Sequence, residues 1–329
     1  MNVKNKSKIL DVKKEALEAE KRIRQYIRET PVEYSPYLSN SGNCRAYLKL
    51  ENIQLTGSCK LRGAMNKMLS LSKKEREKGT VTVSSGNHAV AFAYLLKTLG
   101  SKGTIYLPEN VSQAKIESLR YYEADIKLYG KDFIQTEAFA QDTAKKDNQI
   151  FISSYNDSKI IGGQATVGIE LARQIKKIGA VLVPIGGGGL ISGIAGYLKS
   201  IDENIEIIGC QPENSPVMFE SIKAGKIIEV EFKPTISDGT AGGIENRAIT
   251  FDICKNYVDD YILVSEEEIK NAMKLILERH SLLIEGAAAL SVASFIKAKD
   301  RFENKNVVLI ISGARVSLDI LREIVCKGE

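Results

Sequence analysis

The chain has no tryptophan and only two histidines, His88 and His280, in 329 residues. Neither histidine sits in a cluster of acidic or cysteine residues, which argues against a catalytic zinc and against a serine-type triad. The five cysteines, Cys44, Cys59, Cys210, Cys254 and Cys326, are scattered, odd in number and free of CxxC spacing. They read as reduced thiols, which fits a cytoplasmic location. No apolar run approaches ~20 residues, so no membrane-spanning helix is expected. The net charge is only +5 and no basic run is interleaved with aromatics, so nucleic acid is not expected as a partner. The segment Met1 to Thr30 is rich in Lys and Glu and lacks an apolar stretch of signal-peptide length. It reads as an exposed helix rather than a targeting sequence.

What is present is a composition, 43% hydrophobic, that can bury a sizeable core and fill two domains. Strand-like runs alternate with helical spacing: Gly79 to Val83 then Ala89 to Leu99, Gly103 to Leu107 then Ser112 to Arg120, Asp125 to Leu128 then Phe133 to Lys145. The rhythm resumes at Ala180 to Ile185 then Leu190 to Leu198, at Ile205 to Cys210 then Pro216 to Lys223, and closes with Val307 to Ser312. Such βα repetition predicts an α/β protein with mainly parallel, open, twisted sheets covered by helices. The polar stretch from Ile150 to Ser158 marks a boundary. The expected division is a large domain from residues 1–78 and 155–329 with a small inserted domain, 79–154, leaving a cleft between them for a small molecule.

Four segments carry chemistry. In Thr56-Gly57-Ser58-Cys59-Lys60-Leu61-Arg62-Gly63-Ala64, Lys60 falls between the strand-like Ala46 to Leu50 and a helical pattern from Leu61 to Leu71. A cation at a helix start opposes the macrodipole, which favours a neutral amine or an imine with a carbonyl compound. The second segment is Gly186-Gly187-Gly188-Gly189-Leu190 after an apolar strand, a loop whose amides can converge on an anion. A tight turn needs one or two glycines, not four. Ile191 or Ser192 stands where the dinucleotide fingerprint needs its third glycine, and Ile194 where a P-loop needs lysine, so a single phosphate monoester is the expected ligand. The third, Ser84-Ser85-Gly86-Asn87-His88, can hold a carboxylate at a helix start, and on its own it reads equally as an ordinary N-cap. The fourth is Ser312-Gly313 at the end of the buried strand from Val307, where a lone serine is as a rule structural.

Taken in order, these segments, with Tyr47-Leu48-Lys49-Leu50-Glu51-Asn52 leading in, resemble the pyridoxal-phosphate (PLP) enzymes of the threonine/serine dehydratase family, from about Thr30 onward. The resemblance implies the tryptophan-synthase β-like fold, also called fold type II, and pyridoxal 5′-phosphate as cofactor. It implies that Lys60 carries the cofactor as an imine, that Asn87 bonds its 3′-oxygen, that Gly186 to Gly189 with Leu190 hold its phosphate, and that Ser312 faces its ring nitrogen. Ser84, Ser85, Gly86, Asn87 and His88 become the loop for the substrate carboxylate, although the rings of His88 and His280 themselves read as packing. Gly239, in the Gly-rich loop Ser237-Asp238-Gly239-Thr240, borders the substrate, and Glu285-Gly286-Ala287-Ala288 resembles a segment that supplies a carboxylate, Glu285, near the cofactor and substrate; both read equally as tight backbone packing. The implied reaction is β-elimination of water from serine or threonine, with the freed Lys60 as general base, giving a 2-oxo acid and ammonia. A homodimer or larger homo-oligomer is implied as well.

The sequence also departs from the family. Cys59 stands where Phe is common, Ala165 interrupts a frequent Gln-Gly-Thr, and Gln211 to Val217 retains few of the carboxylates of the metal-activated racemases, so no metal is expected. The chain ends soon after the last motif, so no regulatory domain is expected. Arg315 replaces an asparagine and reads either as a surface arginine or as a partner for a second substrate carboxylate, as in 3-hydroxyaspartate. Ser85 stands where racemases of the family carry an acid/base serine, which keeps amino-acid racemisation open. β-Replacement by a second substrate stays open too, as does a non-catalytic protein that binds a phosphorylated ligand.

Overall fold

The computed structural model describes residues 9–326. In chain order its first helix, α1 (Val12–Ile23), precedes the edge strand β1 (Val32–Tyr34), the short α2 (Pro36–Ser41) and β2 (Arg45–Leu50). Helices α3 (Lys60–Ser70) and α4 (Lys73–Glu77) then lead into a run of alternating elements. These are β3 (Thr80–Val83), α5 (Asn87–Leu99), β4 (Gly103–Leu107), α6 (Gln113–Arg120), β5 (Asp125–Leu128), α7 (Phe133–Lys146) and β6 (Ile150–Phe151). The long α8 (Ser158–Gln174) returns the chain to β7 (Ala180–Pro184), α9 (Gly189–Lys199), β8 (Glu206–Pro212), α10 (Val217–Ala224) and α11 (Ile249–Tyr257). The last elements are β9 (Asp260–Val264), α12 (Glu266–His280), α13 (Gly286–Lys297), β10 (Asn306–Ile311) and α14 (Leu318–Cys326).

Two sheets result. One has six strands in the order β1-β2-β10-β7-β8-β9, parallel except for β1 on β2. The other has four parallel strands in the order β5-β4-β3-β6. Alternation along β10 explains why its sequence is uninterruptedly apolar: Val307, Leu309 and Ile311 enter one core with α12 and α13, while Val308 and Ile310 enter another with α9. In the four-stranded sheet Ile105 and Leu107 pack with α5, while Val81, Val83 and Tyr106 pack with Ala140 and Ala144 of α7. Both sheets are thus covered on both faces, as the βα rhythm requires.

The predicted strands and helices reappear with end shifts of one or two residues. The N-terminal segment differs. Residues 1–8 lie outside the described residues, and α1 is not an exposed helix: Val12, Ala16, Ala19 and Ile23 are buried, with Val12 and Ala16 packing against Ile161, Ala165 and Ile169 of α8. Small alanines on that face left the stripe unreadable beside the charges. Among the described residues no helix is long and apolar enough to cross a membrane.

Candidate active site

Lys60 opens α3, and the approach to it is sewn onto the end of β10. Cys59 N–H donates to Ser312 O at 2.9 Å, Ala314 N–H to Gly57 O at 3.0 Å, and Ser58 bridges Gly313. Gly57 sits at φ +76°, a conformation that side chains disfavour. On the far side Arg62 is fully buried between two carboxylates, bonding Glu51 Oε2 at 2.6 Å and Glu170 Oε1 at 2.6 Å. Lys49 adds a 2.5 Å contact to Glu170. Burial alone raises a carboxylate, but Arg62 and Lys49 hold Glu170 down at about 2. The first turn of α3 is therefore fixed from both sides, and the lysine amine projects to within 3.4 Å of Ser154 O. Burial pushes the neighbouring Cys59 thiol up to about 12, so it is inert as a nucleophile.

The loops after β3 and β10 meet here with the link between α12 and α13. Asn87 begins α5 after β3, and its amide Nδ2 donates to both oxygens of Glu285 at 2.9 Å. Glu285, only 5% exposed, also accepts the main-chain N–H of Arg315 at 3.1 Å, and its own N–H donates to Gly313 O. A Cβ on Gly313 would lie 2.5 Å from Glu285 Oε1, and one on Gly239 would lie 3.7 Å from it. Burial, reinforced by the charge of Asp238, pushes the Glu285 carboxyl up to about 7 against the bonds from Asn87 and Arg315. Ser312, 7% exposed, lies between this carboxyl and the Lys60 approach.

The glycine loop closes the ring. Gly186 lies against the backbone of Thr240, and Gly187 and Gly189 lie against Tyr155; side chains at these positions would meet those atoms at 2.9, 2.5 and 3.0 Å. Gly188 holds φ +90°. Each of the four glycines thus has its own steric cause, more than a bare turn needs. The loop delivers the chain into α9, whose first turn no side chain caps, which leaves its N–H groups without a side-chain acceptor, as a helix start that takes an anion requires. Leu190, the second residue of α9, contributes to the same turn.

Ser84, Ser85 and Gly86 line the start of α5, with Gly86 N–H donating to Ser84 Oγ at 3.2 Å. His88 does not join them as a side chain. Its Nε2 meets Thr82 Oγ1 at 3.1 Å inside the lobe, and burial with the nearby Lys60 charge pulls it down to about 3, so only its main chain faces the loop. His280 lies outside this ring, with its Nε2 2.9 Å from Ser35 Oγ. Arg315 has an exposed side chain and a main chain inside the site. Sequence reading missed Glu51, Arg62 and Glu170, although two charges inside otherwise apolar motifs were a signal. The polar turn Ser153–Asn156, inside the boundary segment Ile150 to Ser158, packs between Lys60 and the glycine loop.

These residues fit pyridoxal phosphate. The uncapped helix start offers a phosphate cradle, Asn87 Oδ1 is buried without a partner, and the half-buried Lys60 amine is held only by a long contact to a main-chain carbonyl, 3.4 Å from Ser154 O. When bound, Gly186 to Leu190 would hold the phosphate, Asn87 the ring oxygen and Ser312 the ring nitrogen, with Lys60 as the attachment point. Fold and site together define an enzyme of the fold type II pyridoxal-phosphate class. A family model described as "Pyridoxal-phosphate dependent enzyme" matches residues 23–313. A catabolic L-threonine dehydratase of Staphylococcus aureus is 40% identical over 317 residues, covering 94% of this chain and 91% of that protein. Threonine deaminase isoform 2 of Solanum lycopersicum superposes with TM-score 0.92 at 32% identity, covering 97% and 94% of the two chains. Serine racemase of Dictyostelium discoideum superposes with TM-score 0.86 at 35% identity, covering 93% and 98%. The chain belongs to the pyridoxal-phosphate-dependent enzyme family, in its threonine/serine dehydratase branch.

Proposed function

We propose that the protein is a threonine/serine ammonia-lyase that removes water from a β-hydroxy amino acid to give a 2-oxo acid and ammonia. The observation that supports this reading is a chain of contacts: the Lys60 amine lies on Ser154 O, the next residue Tyr155 lies on Gly187 and Gly189, Cys59 bonds Ser312, and the Asn87–Glu285 pair lies on Gly313. When bound, pyridoxal phosphate supplies the sink for the electron pair left at the substrate Cα. Ser312 favours prompt loss of a β-leaving group, because a hydroxyl does not protonate the ring nitrogen as a carboxylate does. Lys60 would hold the cofactor and, as a free amine, would take the substrate Cα proton as general base. The N–H groups of Ser85 to His88 bind the substrate carboxylate, aided by the hydroxyls of Ser84 and Ser85. The β-hydroxyl leaves as water, and the enamine released from the enzyme hydrolyses to the 2-oxo acid and ammonia. Glu285 holds Asn87 in register, and Gly239 lets the neighbouring turn close on that carboxyl.

The test is 2-oxo acid formation from L-threonine, L-serine and 3-hydroxyaspartate by cofactor-loaded protein, with borohydride trapping mapped to Lys60. Product from the first two and label on Lys60 are expected; bound cofactor without product from any of the three would sink the dehydratase reading. Including the dicarboxylic substrate tests the exposed Arg315. A second reading, racemisation alongside elimination, is supported by the half-buried Ser85, which stands where racemases of the resembled family carry an acid/base serine. Ser85→Ala is expected to lower the ratio of racemisation to elimination by about tenfold or more, measured by chiral chromatography beside 2-oxo acid release. Equal loss of both activities would remove Ser85 from this role.

The reading includes a division into a large domain of residues 1–78 and 155–329 and a small one of 79–154 that closes over the substrate. Its support is sheet membership: β3 to β6 form one sheet and the other six strands the second. The ends of that division, 1–8 and 327–329, lie outside the described residues. Five unpaired cysteines support a cytoplasmic location, and the family resemblance supports a homodimer or larger homo-oligomer.

A further inference from the structure

The turn Ser153–Asn156 touches both halves of the cofactor site and is held by one carboxylate. Ser154 O faces the Lys60 amine at 3.4 Å, and Tyr155 lies on Gly187 and Gly189. Inside the turn Ser153 Oγ accepts the N–H groups of Tyr155 and Asn156. Outside it, Glu245 grips three successive points. Its Oε2 accepts from Asn156 Nδ2 at 2.9 Å, its Oε1 from Ser153 Oγ at 3.4 Å, and its main-chain N–H donates to Tyr155 Oη at 2.7 Å. Asn156 Oδ1 in turn accepts the N–H of Ile249, tying the turn to the start of α11. Behind it lies an open cleft of about 310 Å³ lined by Gln141, Phe151, Ser153, Asn156 and Glu245. Packing on that side is incomplete, so directional bonds rather than close-packed side chains keep the turn pressed toward the site.

We propose that Glu245 is a positioning residue for the cofactor site, clamping the Ser153–Asn156 turn against Lys60 and the glycine loop. The inference rests on the cofactor reading above. It differs from ordinary loop packing in what it predicts: loss of the carboxylate relaxes the turn into the open cleft and loosens the phosphate loop, while the rest of the fold stands.

The experiment is titration of cofactor-free protein with pyridoxal 5′-phosphate, followed by absorbance, with the melting midpoint of the cofactor-free protein read in parallel. Glu245→Ala is expected to weaken cofactor binding roughly tenfold, as loss of a charge-assisted hydrogen bond implies. The cofactor-free midpoint is expected to move by no more than about 2 °C. Glu245→Gln keeps an oxygen for Asn156 Nδ2 and is expected to recover affinity to within about threefold of the wild type. Unchanged affinity in Glu245→Ala, or no recovery in Glu245→Gln, overturns the proposal. If Glu245→Ala does not fold, Asn156→Asp is read in its place: it keeps an oxygen for the Ile249 N–H but replaces the donor to Glu245 Oε2 with a second carboxylate, and unchanged affinity again overturns the proposal. Wild-type protein that takes up no cofactor overturns the cofactor reading, and this inference with it.

Discussion

Glu285 is held from three sides, by Asn87, by the N–H of Arg315 and by the absence of a side chain at Gly313. A methyl at residue 313 would sit 2.5 Å from its Oε1, and the bridge to Ser58 leaves the backbone no room to retreat. Gly313→Ala should therefore displace the carboxyl and the Asn87 amide with it, costing on the order of 1–3 kcal/mol of stability and most of the dehydratase activity. Urea unfolding beside 2-oxo acid release checks this; a variant with wild-type values in both would mean that the site yields more easily than its contacts indicate. Lys60 was legible because a lysine between a strand and a helical pattern has a physical cost. Glu285 came only through the family resemblance and Gly239 only as part of a Gly-rich loop, since their partners, Asn87 and Ala287, arrive from other elements. Glu245 left no trace in the sequence: its partners lie 89 to 92 positions away.

The pairing of α3 with α8 is where local pattern failed and tertiary structure decided. Helix α8 is buried over most of its length, from Ile160 to Leu171, so no polar face gives it a period. Its glycines are there for close approach: a Cβ on Gly163 would meet Arg62 O at 2.4 Å, and one on Gly63 would meet Ile160 at 3.0 Å. Gln164 Nε2 donates to Cys59 O across the same contact. The charges that cross it, Arg62 and Lys49 with Glu51 and Glu170, are desolvated and mutually dependent. Removing one partner leaves the others buried and uncompensated. Glu170→Ala is expected to destabilise the protein by roughly 3–5 kcal/mol, far more than an exposed pair is worth. Denaturant unfolding measures it, and a loss near that of a surface pair would show that water reaches Arg62 and Lys49. Most strands, by contrast, were readable to within two residues, β7 and β10 because each is an apolar run bounded by glycine or polar residues, whereas the short β1 and the edge strand β9 had no counterpart in the sequence reading.

For the whole molecule, the buried carboxyls set opposite pH limbs. Glu285 is raised to about 7 by burial with the Asp238 charge, and Glu137, on α7, is raised to about 7 by burial with the Glu245 charge. Their ordinary value is 4.5, so between about pH 4.5 and 7 the folded protein binds protons that the unfolded chain has released. Their contribution to stability is complete below 4.5, is lost as pH rises through 7, and stays flat above. Glu170, held at about 2, has the reverse sign: its contribution is present above 4.5 and is lost as pH falls toward 2. Cofactor-free protein should accordingly lose stability on both sides of a maximum near pH 4.5 to 5, as far as these groups decide it. In the double variant Glu137→Gln, Glu285→Gln the neutral amides stand in for the protonated acids, so the decline between pH 4.5 and 7 should flatten while the acid limb from Glu170 persists. Urea midpoints of the cofactor-free wild type and double variant from about pH 2 to 8 decide it, and parallel slopes above pH 4.5 in the two proteins would place the proton uptake on other groups.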